Sequence, residues 1–472
     1  MTRTPRNRAQ GKRPDQVRRA AYRVVRQVNG EAGYSNLVLG RVLREERLSG
    51  RDAAFCTELV HGTLRWQGTY DAVLARCVSR PLPELDPELL DLLRLGTHQL
   101  LRMRVGAHAA VSETVTVARA ELGQRRTGLV NAVLRKVSQR TLDQWVDTVA
   151  PDDRIGRLGV AHAHPRWVVE AFAAALGDDG FELEQLLAAD NEPPRVTLVA
   201  RPGLATADEL LRPPKASQDD GTSADATATP GRWSPYAVVL SGGGDPGAIA
   251  AVAEGRVGVQ DEGSQLVALA LAAAPVEGRD EQWLDLCAGP GGKSALLAAA
   301  GNQRGVVLTA VEPQPHRAEL VRANLRAIPG DHRVLVADGT EPSWPAGSFD
   351  RVLADVPCTG LGALRRRPEA RWRRTPEDVT ALRPLQERLL SAALDSVRPG
   401  GVVGYVTCSP HVEETRAVVD AVLAGRPDMA MLDARPLLPG VPDLGDGPDI
   451  QLWPHRHGTD AMYLSLIRRS AP

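Results

Sequence analysis

Two different hydrophobic periodicities divide this chain. Before about residue 139, apolar residues recur every three or four positions, as in the helical face formed by Val17, Ala21, Val24, Val25 and Val28. This spacing is typical of amphipathic helices, and signals for β-strands are nearly absent from the same stretch. We therefore predict an all-α bundle over residues 15–140.

Beyond residue 256 the pattern changes to short apolar runs that alternate with helical segments. This alternation predicts a Rossmann-like α/β domain over residues 256–472, with a doubly wound, mostly parallel sheet and helices on both faces. The predicted strands are 282–286, 306–311, 333–336, 351–354, 402–407 and 462–467, and the predicted helices are 294–300, 315–327, 376–397 and 412–423.

The remaining segments are less regular. Residues 1–14 form a basic segment that we expect to be disordered. Residues 141–255 predict a connector and a small α+β module, interrupted over 203–235 by a polar stretch rich in Pro, Ala, Thr and Asp. Such a stretch buries too little apolar surface to order itself, so we expect a flexible insertion.

The distribution of charge and of cysteine indicates possible partners of the protein and the compartment in which it works. The net charge is −1, but the first 19 residues carry seven Lys or Arg against one Asp, and residues 365–374 hold six arginines. Such patches suit phosphate backbones, with a solvated surface as the alternative. The five cysteines are widely spaced and form no C-x-x-C pair, which argues against disulfides and zinc and favours a reducing compartment. No apolar run approaches a membrane span, so we expect a cytoplasmic protein without a membrane partner.

The stretch 283–294, WLDLCAGPGGKS, joins a strand to a helix through a turn that contains three glycines. Its end fits a phosphate-binding P-loop, but Cys287 stands where that motif requires its first glycine. It also departs from the dinucleotide motif, because Ser294 replaces the last glycine. The third interpretation is a site for S-adenosylmethionine (SAM), which needs no pyrophosphate cradle. A plain tight turn is the remaining alternative.

Acidic residues after the next strands support the SAM interpretation. Glu312 lies 20 residues past Gly292, where a doubly wound sheet places an acid on ribose hydroxyls. Asp338 follows the third strand, where a cleft acid can accept from an adenine amino group, with a turn or capping role as the alternative. We predict that the cofactor is held by Asp285, Cys287, Ala288, Gly289, Pro290, Gly291, Gly292, Lys293, Glu312, Asp338 and Asp355.

Two cysteines lie directly after the fourth and fifth predicted strands. Cys358 stands in DVPCTG (355–360) and Cys408 in TCS (407–409), so the register brings both to the same edge of the sheet. Free cysteines are usually buried and inert, and this is the alternative for either one alone. The interpretation that uses both is nucleophilic catalysis, with one thiolate attacking and the other handling protons.

The C-terminal half resembles the Sun/Nop-type RNA (cytosine-5) methyltransferases. The resemblance rests on DLCAGPGGK (285–293), DVPCTG and TCS, supported by VQDEGSQ (259–265) and LGALRRRPEARW (361–372). The N-terminal part resembles NusB through LSGRDAAF (48–55) and GLVNAVLRK (128–136). Together they resemble the bacterial branch of the family that modifies small-subunit ribosomal RNA. The 203–235 insertion departs from the family's compact middle module.

The resemblance implies both a reaction and a set of roles. It implies methyl transfer from SAM to C5 of a specific cytosine in 16S rRNA, through a covalent bond between Cys408 and C6. Cys358 would assist release of the product, and Asp355 would hydrogen-bond the N3/N4 edge of the base. Lys293 would contact either Asp355 or the cofactor, with a surface lysine as the alternative. The sequence alone does not assign the two thiols, because both follow strands at one edge.

The resemblance also implies partners. A single-stranded or flipped cytosine of ribosomal RNA is the expected substrate. We expect no DNA partner, no metal, and a monomer. Transfer RNA as substrate and a catalytically silent RNA-binding factor are the rival interpretations. The NusB-like block implies RNA docking, for which the candidate contacts are Arg51, Arg125, Arg126, Arg135 and Lys136.

Overall fold

The computed structural model describes residues 14–31, 33–177, 180–212, 228–242 and 244–471. Most of the predicted basic tail and residues 213–227 of the predicted insertion therefore lie outside the described residues. The chain forms two compact units. The first contains the residues up to Val169 together with Arg367–Arg373, and the second contains Glu170–Arg366 and the residues from Arg374 onward.

The first unit is helical, as the periodicity predicts. Every residue of the apolar face of the first helix is buried, and this face packs into a core rich in Leu and Val. The segment 141–165, which we predicted as a connector, contains two further helices. The helices are α1 (Gln16–Glu31), α2 (Ser35–Glu45), α3 (Gly50–Arg65), α4 (Gln67–Cys77), α5 (Pro87–Leu101), α6 (Ala107–Glu121), α7 (Gln124–Val137), α8 (Leu142–Val149), α9 (Arg154–Ala161) and the start of α10 (Arg166–Leu176).

The N-terminal part of the second unit contains a small antiparallel sheet, with its strands in the order β2-β3-β1-β4. It includes two short strands that the sequence did not predict, one at each edge. Its elements, in chain order, are α11 (Gly180–Ala189), β1 (Val196–Ala200), α12 (Ala207–Leu211), β2 (Ala228–Pro230), β3 (Ala237–Leu240), α13 (Ala250–Ala253) and β4 (Val257–Val259).

The rest of the second unit is built on a larger mixed sheet in the order β10-β12-β9-β8-β5-β6-β7, with β11 paired to β12. Strands β7, β6, β5, β8 and β9 are parallel, whereas β10, β11 and β12 pair antiparallel. The elements are α14 (Glu262–Ala273), β5 (Gln282–Asp285), α15 (Gly292–Asn302), β6 (Val307–Val311), α16 (Pro315–Leu325), β7 (Arg333–Leu335), β8 (Phe349–Asp355), α18 (Pro376–Ser396), β9 (Val397–Thr407), α19 (Arg416–Leu423), β10 (Met429–Leu432), β11 (Ile450–Gln451), α20 (Pro454–His457) and β12 (Tyr463–Arg469). Helix α17 (Ala370–Arg373), which lies between β8 and α18 in the chain, belongs to the first unit.

Helices cover both faces of this sheet. Alternate residues of β9 belong to different cores: Val402 and Val406 pack with α14 and α15, whereas Val403 and Tyr405 pack with α18 and α19. This alternation is the period-two pattern of a strand that is buried on both sides. The predicted doubly wound arrangement is confirmed, with an antiparallel edge added to a parallel centre.

The predicted helix over 412–423 is interrupted. A short 3₁₀ turn, Val412–Glu414, precedes α19, because Thr415 has φ −117° and ψ −106°, outside the helical region. The side chain of Glu414 is buried at the edge of the sheet, where it is hydrogen-bonded to Thr359 and Gln386. Hydrophobic periodicity does not predict such contacts. In the part of the chain that the structure describes, no helix is both long and apolar enough to cross a membrane.

The arginine cluster at 365–374 is largely internal, which corrects the interpretation as a phosphate-binding patch. In the second unit, Arg365 and Arg366 form ion pairs with Asp460. In the first unit, Arg371 is 0% exposed and donates to the carbonyl of Ala163 at 3.1 Å. Arg373 donates to the carbonyl of Gly33 at 2.7 Å. These guanidinium groups therefore satisfy buried carbonyls and carboxylates rather than facing a ligand.

Candidate active site

The order of the strands locates the site. Strand β5 lies between β6 and β8, and the chain runs outward from it in one direction through β6 and β7 and in the other through β8 and β9. At such a topological switch point, the connections leave a crevice at the carboxyl ends of the strands. The glycine turn that follows β5 forms this crevice.

The glycine turn leaves no room for side chains. A Cβ on Gly289 would lie 2.0 Å from Oε2 of Glu312, and a Cβ on Gly291 would lie 2.9 Å from the Cα of Val321. Gly291 also has φ +107°, which a residue with a side chain rarely adopts. Helix α15 begins at the next residue, so its first backbone N–H groups face the crevice without intrahelical acceptors.

Asp285 shapes the turn from inside. Its side chain is 1% exposed, and its carboxylate accepts a hydrogen bond from Ser294 Oγ at 2.6 Å and from the Cys287 amide at 3.4 Å. Burial raises the pKa of Asp285 to about 7. The residue therefore ties the end of β5 to the first turn of α15.

The predicted acids converge around Cys287. Burial raises the pKa of the Cys287 thiol well above its usual range, and the negative charges that add to this come from Asp285, Asp355, Glu312 and Asp338. The parallel register thus brings together groups that are separated by more than fifty positions in the sequence. Ala288 is buried, and its amide donates to the carbonyl of Val311 at 2.9 Å.

Glu312 and Asp338 differ in exposure. Glu312 is 3% exposed and accepts from the Gln314 amide at 2.9 Å through Oε1, while its Oε2 lies 3.6 Å from Nε of Arg317. Asp338 is exposed, and its Oδ1 accepts from the amide and the hydroxyl of Thr340, each at 2.8 Å. These hydrogen bonds hold the pKa of Asp338 below its usual range.

Lys293 contacts Asp355. The Nζ–Oδ2 distance is 2.9 Å, and the side chains are 13% and 27% exposed. Burial lowers the pKa of Lys293, but the negative charge of Asp355 and a smaller contribution from Cys408 outweigh it, so the pKa lies above its usual value. One cation therefore pairs with the carboxylate that ends β8 and lies close enough to the thiol after β9 to be affected by its charge.

The two predicted cysteines meet. Their Sγ atoms are 3.4 Å apart, and both side chains are partly buried. The hydrogen bond to Cys408, together with burial, raises the pKa of the Cys358 thiol well above its usual range. Cys358 therefore holds its proton more tightly than an ordinary thiol does, and either sulfur can donate in the contact between the two.

The sequence analysis did not predict a role for three buried side chains near these thiols, those of Thr359, Gln386 and Glu414. Glu414 accepts a hydrogen bond from the Thr359 amide at 2.8 Å, and Gln386 donates to the Glu414 carboxylate at 3.1 Å. All three residues are at most 2% exposed. The only signal in the sequence is an acidic residue inside an otherwise amphipathic run, and surface helices carry many such residues.

Comparisons with known proteins agree with this geometry. The profile of the family described as 16S rRNA methyltransferase RsmB/F matches residues 270–468, and that of the NusB family matches residues 15–139. A probable ribosomal RNA small subunit methyltransferase B of Synechocystis is 31% identical, over 96% of this chain and 99% of that protein. A putative methyltransferase of Mycobacterium tuberculosis is 54% identical, over 99% of both chains.

The chain belongs to the RsmB/F family of 16S rRNA methyltransferases. It is a SAM-dependent rRNA methyltransferase with an N-terminal NusB domain. The crystal structure of PH0851 shares its fold, with a TM-score of 0.79 at 22% identity over 97% of this chain and 99% of that one. That of NSun6 from Pyrococcus horikoshii with SFG has a TM-score of 0.54 at 17% identity, over 66% and 100%.

The crevice of this RsmB/F enzyme fits SAM. The turn at Gly289 and Gly291 packs closely against Glu312 and α16, and carboxylates follow the two strands beyond it. This combination suits a nucleoside with ribose hydroxyls and an amino group. Among the residues that the structure describes, no group of three or more His, Cys, Asp or Glu side chains could hold a metal ion.

Proposed function

We propose that this enzyme methylates C5 of a cytosine in 16S rRNA, through a covalent bond between Cys408 and C6 of the base. The observation that carries the proposal is the 3.4 Å separation of the Cys358 and Cys408 thiols at the ends of neighbouring strands, beside Asp355. Two thiols in contact with each other, one of them close enough to Lys293 to raise the pKa of its ammonium group, suit nucleophilic chemistry better than packing.

C5 of cytosine is a weak nucleophile, which explains the need for a thiolate. When the Cys408 sulfur bonds to C6, the electrons of the C5–C6 double bond move toward C5. Asp355 hydrogen-bonds the N3/N4 edge and favours this charge build-up. Lys293 holds Asp355 at 2.9 Å and, as a cation, stabilises the thiolate form of Cys408.

Release of the product requires the reverse movement of electrons. A base at the site accepts the proton on C5, the electron pair of that C–H bond restores the C5–C6 double bond, and the C6–sulfur bond breaks with its electrons returning to Cys408. Cys358 is our candidate for that base, because its sulfur lies 3.4 Å from that of Cys408; it accepts the C5 proton after its own proton has passed to water.

The bound cofactor supplies an electrophilic methyl group. We assign it to the crevice after β5, where Gly289, Gly291 and Gly292 permit close approach and Glu312 and Asp338 accept from its ribose and adenine. Asp285 supports the turn from inside, and Cys287, Ala288, Pro290 and Lys293 complete its wall. Since the reacting base must reach this crevice, it has to be single-stranded or flipped out of a helix.

Denaturing gels after incubation with SAM and a 16S rRNA fragment test the proposal. Cys408→Ala should form no protein–RNA adduct and no product. Cys358→Ala should form an adduct that persists, because elimination is impaired. Cys77→Ala, a partly buried cysteine of the helical unit, controls for the loss of a thiol and should behave like the wild type.

The outcomes separate the alternatives. An adduct trapped in Cys408→Ala instead of Cys358→Ala would reverse the two roles. Normal methylation by both variants, without an adduct in either, would remove covalent catalysis. Absence of SAM binding in calorimetry would favour a silent RNA-binding factor.

A further inference from the structure

Glu414 lies behind the cysteine pair, in the 3₁₀ turn six residues after Cys408. Its side chain is 0% exposed. The carboxylate nevertheless collects donors from two other parts of the chain. It accepts from the Thr359 amide at 2.8 Å, from the Thr359 hydroxyl through a short bond, and from Gln386 Nε2 at 3.1 Å.

A buried carboxylate is costly unless hydrogen bonds replace its water, and here they come from the segment that carries Cys358. Thr359 directly follows Cys358. Gln386 of α18 uses its second N–H to hold the carbonyl of Pro357, the residue before Cys358, at 2.9 Å. The main chain on both sides of the thiol is thus fixed by one side-chain network.

The same network reaches the other thiol. The hydroxyl of Tyr405, on β9, donates to the main-chain carbonyl of Glu414 at 2.9 Å. The loop between β9 and Glu414 carries Cys408, and its Ser409 Oγ lies 3.3 Å from Thr359 Oγ1. Glu414 therefore joins the loop after β8 to the loop after β9 at the point where the two sulfurs meet.

We propose that Glu414 is the positioning residue for Cys358, and that its hydrogen bonds to Thr359 hold the Cys358 thiol against Cys408 for the release step. The inference rests on the proposed function, because it assigns Glu414 to one half of the covalent cycle. Glu414 acts through Thr359 and does not touch the base.

Electrostatics give the proposal a second consequence. The titratable groups that face Cys358 are Cys408 after β9, Glu414 in the 3₁₀ turn, and Tyr405 on β9. After the hydrogen bond to Cys408 and burial, the charges of Cys408 and Glu414 add to the rise in the pKa of Cys358. Removing the Glu414 charge should make Cys358 ionise at lower pH.

The first test uses turnover and adduct formation. Glu414→Gln keeps the shape and removes the charge, Glu414→Asp keeps the charge, and Glu413→Gln is the matched control on the neighbouring residue, which pairs with Arg383. We expect Glu414→Gln to lower kcat about 10- to 100-fold, with little change in the KM for RNA or the Kd for SAM. The protein–RNA adduct should persist as in Cys358→Ala, and Glu414→Asp should recover part of the turnover.

Three results would overturn the proposal. One is turnover by Glu414→Gln equal to that of Glu413→Gln. Another is a loss of kcat that comes with an equal loss of SAM affinity and without adduct, which would mean a structural role only. The third result concerns Thr359→Val, the variant to use if Glu414→Gln does not fold, because it removes the hydroxyl that donates to Glu414. Absence of a persistent protein–RNA adduct in Thr359→Val would overturn the proposal.

The second test needs neither RNA nor cofactor, so it distinguishes a failure of the Glu414–Cys358 contact from a failure of covalent catalysis. The rate of Cys358 alkylation by iodoacetamide is measured against pH, with the modified peptide quantified by mass spectrometry. We expect the midpoint for Glu414→Gln to move to lower pH and that for Glu413→Gln to stay at the wild-type position. An unmoved midpoint in Glu414→Gln would refute the placement of its charge beside Cys358.

Discussion

Replacing Lys293 by Met tests the electrostatic centre of the site. The substitution keeps a long unbranched side chain but removes the only cation whose contact with Asp355 is seen among the described residues. Asp355 then keeps its negative charge near Cys408 without compensation. We expect this to disfavour the Cys408 thiolate and so to slow its attack on the base.

The expected size follows from the geometry. At the 2.9 Å Nζ–Oδ2 distance, two unit charges attract by about 6 kcal/mol if the effective dielectric constant is about 20. Most of this repays the loss of hydration, and removing one partner of a buried pair costs about 3–5 kcal/mol. Because Asp355 is 27% exposed, water recovers part of that, which leaves a cost of about 2–3 kcal/mol. If stabilisation of the Cys408 thiolate falls by the same amount, the rate of attack falls roughly 30- to 150-fold.

Single-turnover rates of adduct formation, measured across neutral and alkaline pH, provide the assay. The rate for Lys293→Met should recover partly as pH rises, because hydroxide then ionises Cys408 without help from the ammonium group. Lys293→Arg keeps the charge and should lose less. The reasoning is refuted if Lys293→Met stays within about threefold of the wild type at neutral pH, or if its loss does not depend on pH.

Three further predictions address the cofactor, the turn and RNA docking. Glu312→Ala should weaken SAM binding by about 1–3 kcal/mol in calorimetry, whereas Glu319→Ala, on exposed α16, should not; equal affinities would remove Glu312 from the site. Because the pKa of Asp285 is about 7 in the folded state and lower in the unfolded chain, its contribution to stability is present at low pH and is lost as pH rises through 7. In urea unfolding, the wild type should therefore lose stability relative to Asp285→Asn between about pH 4 and 8, by roughly 1.4 kcal/mol per unit of pKa shift, and parallel profiles would contradict the burial argument. Replacing exposed Arg125 and Arg135 of α7 by Glu should weaken rRNA binding and flatten its dependence on log salt by about one unit per residue, with SAM affinity unchanged; an unaltered slope would exclude α7 as an RNA contact.

The sequence by itself determined the division into two kinds of structure, the edge of the sheet that carries the site, and the glycine turn. The two hydrophobic periodicities separate the helical first unit from the sheet of the second, because helix and strand expose side chains with different repeats. Parallel strands all end at one edge, so the positions of Glu312, Asp355 and Cys408 after their strands already placed them together. The glycine turn followed from sequence too, since only glycine tolerates such close contact at 289 and 291.

The partners of individual side chains were decided only by the tertiary structure, because they depend on contacts between segments that are distant in the sequence. Lys293 had two possible partners, and packing of the β5 and β8 loops selected Asp355. The hydrogen bond between Asp285 and Ser294, which ties β5 to α15, also came only from the folded chain. The arginines of 365–374 looked like a surface patch until buried carbonyls and Asp460 surrounded them. Glu414 carried only the weak signal of an acidic residue inside an amphipathic run. Its role depends on three donors from segments 28 to 55 residues away, which only the folded chain brings to one carboxylate.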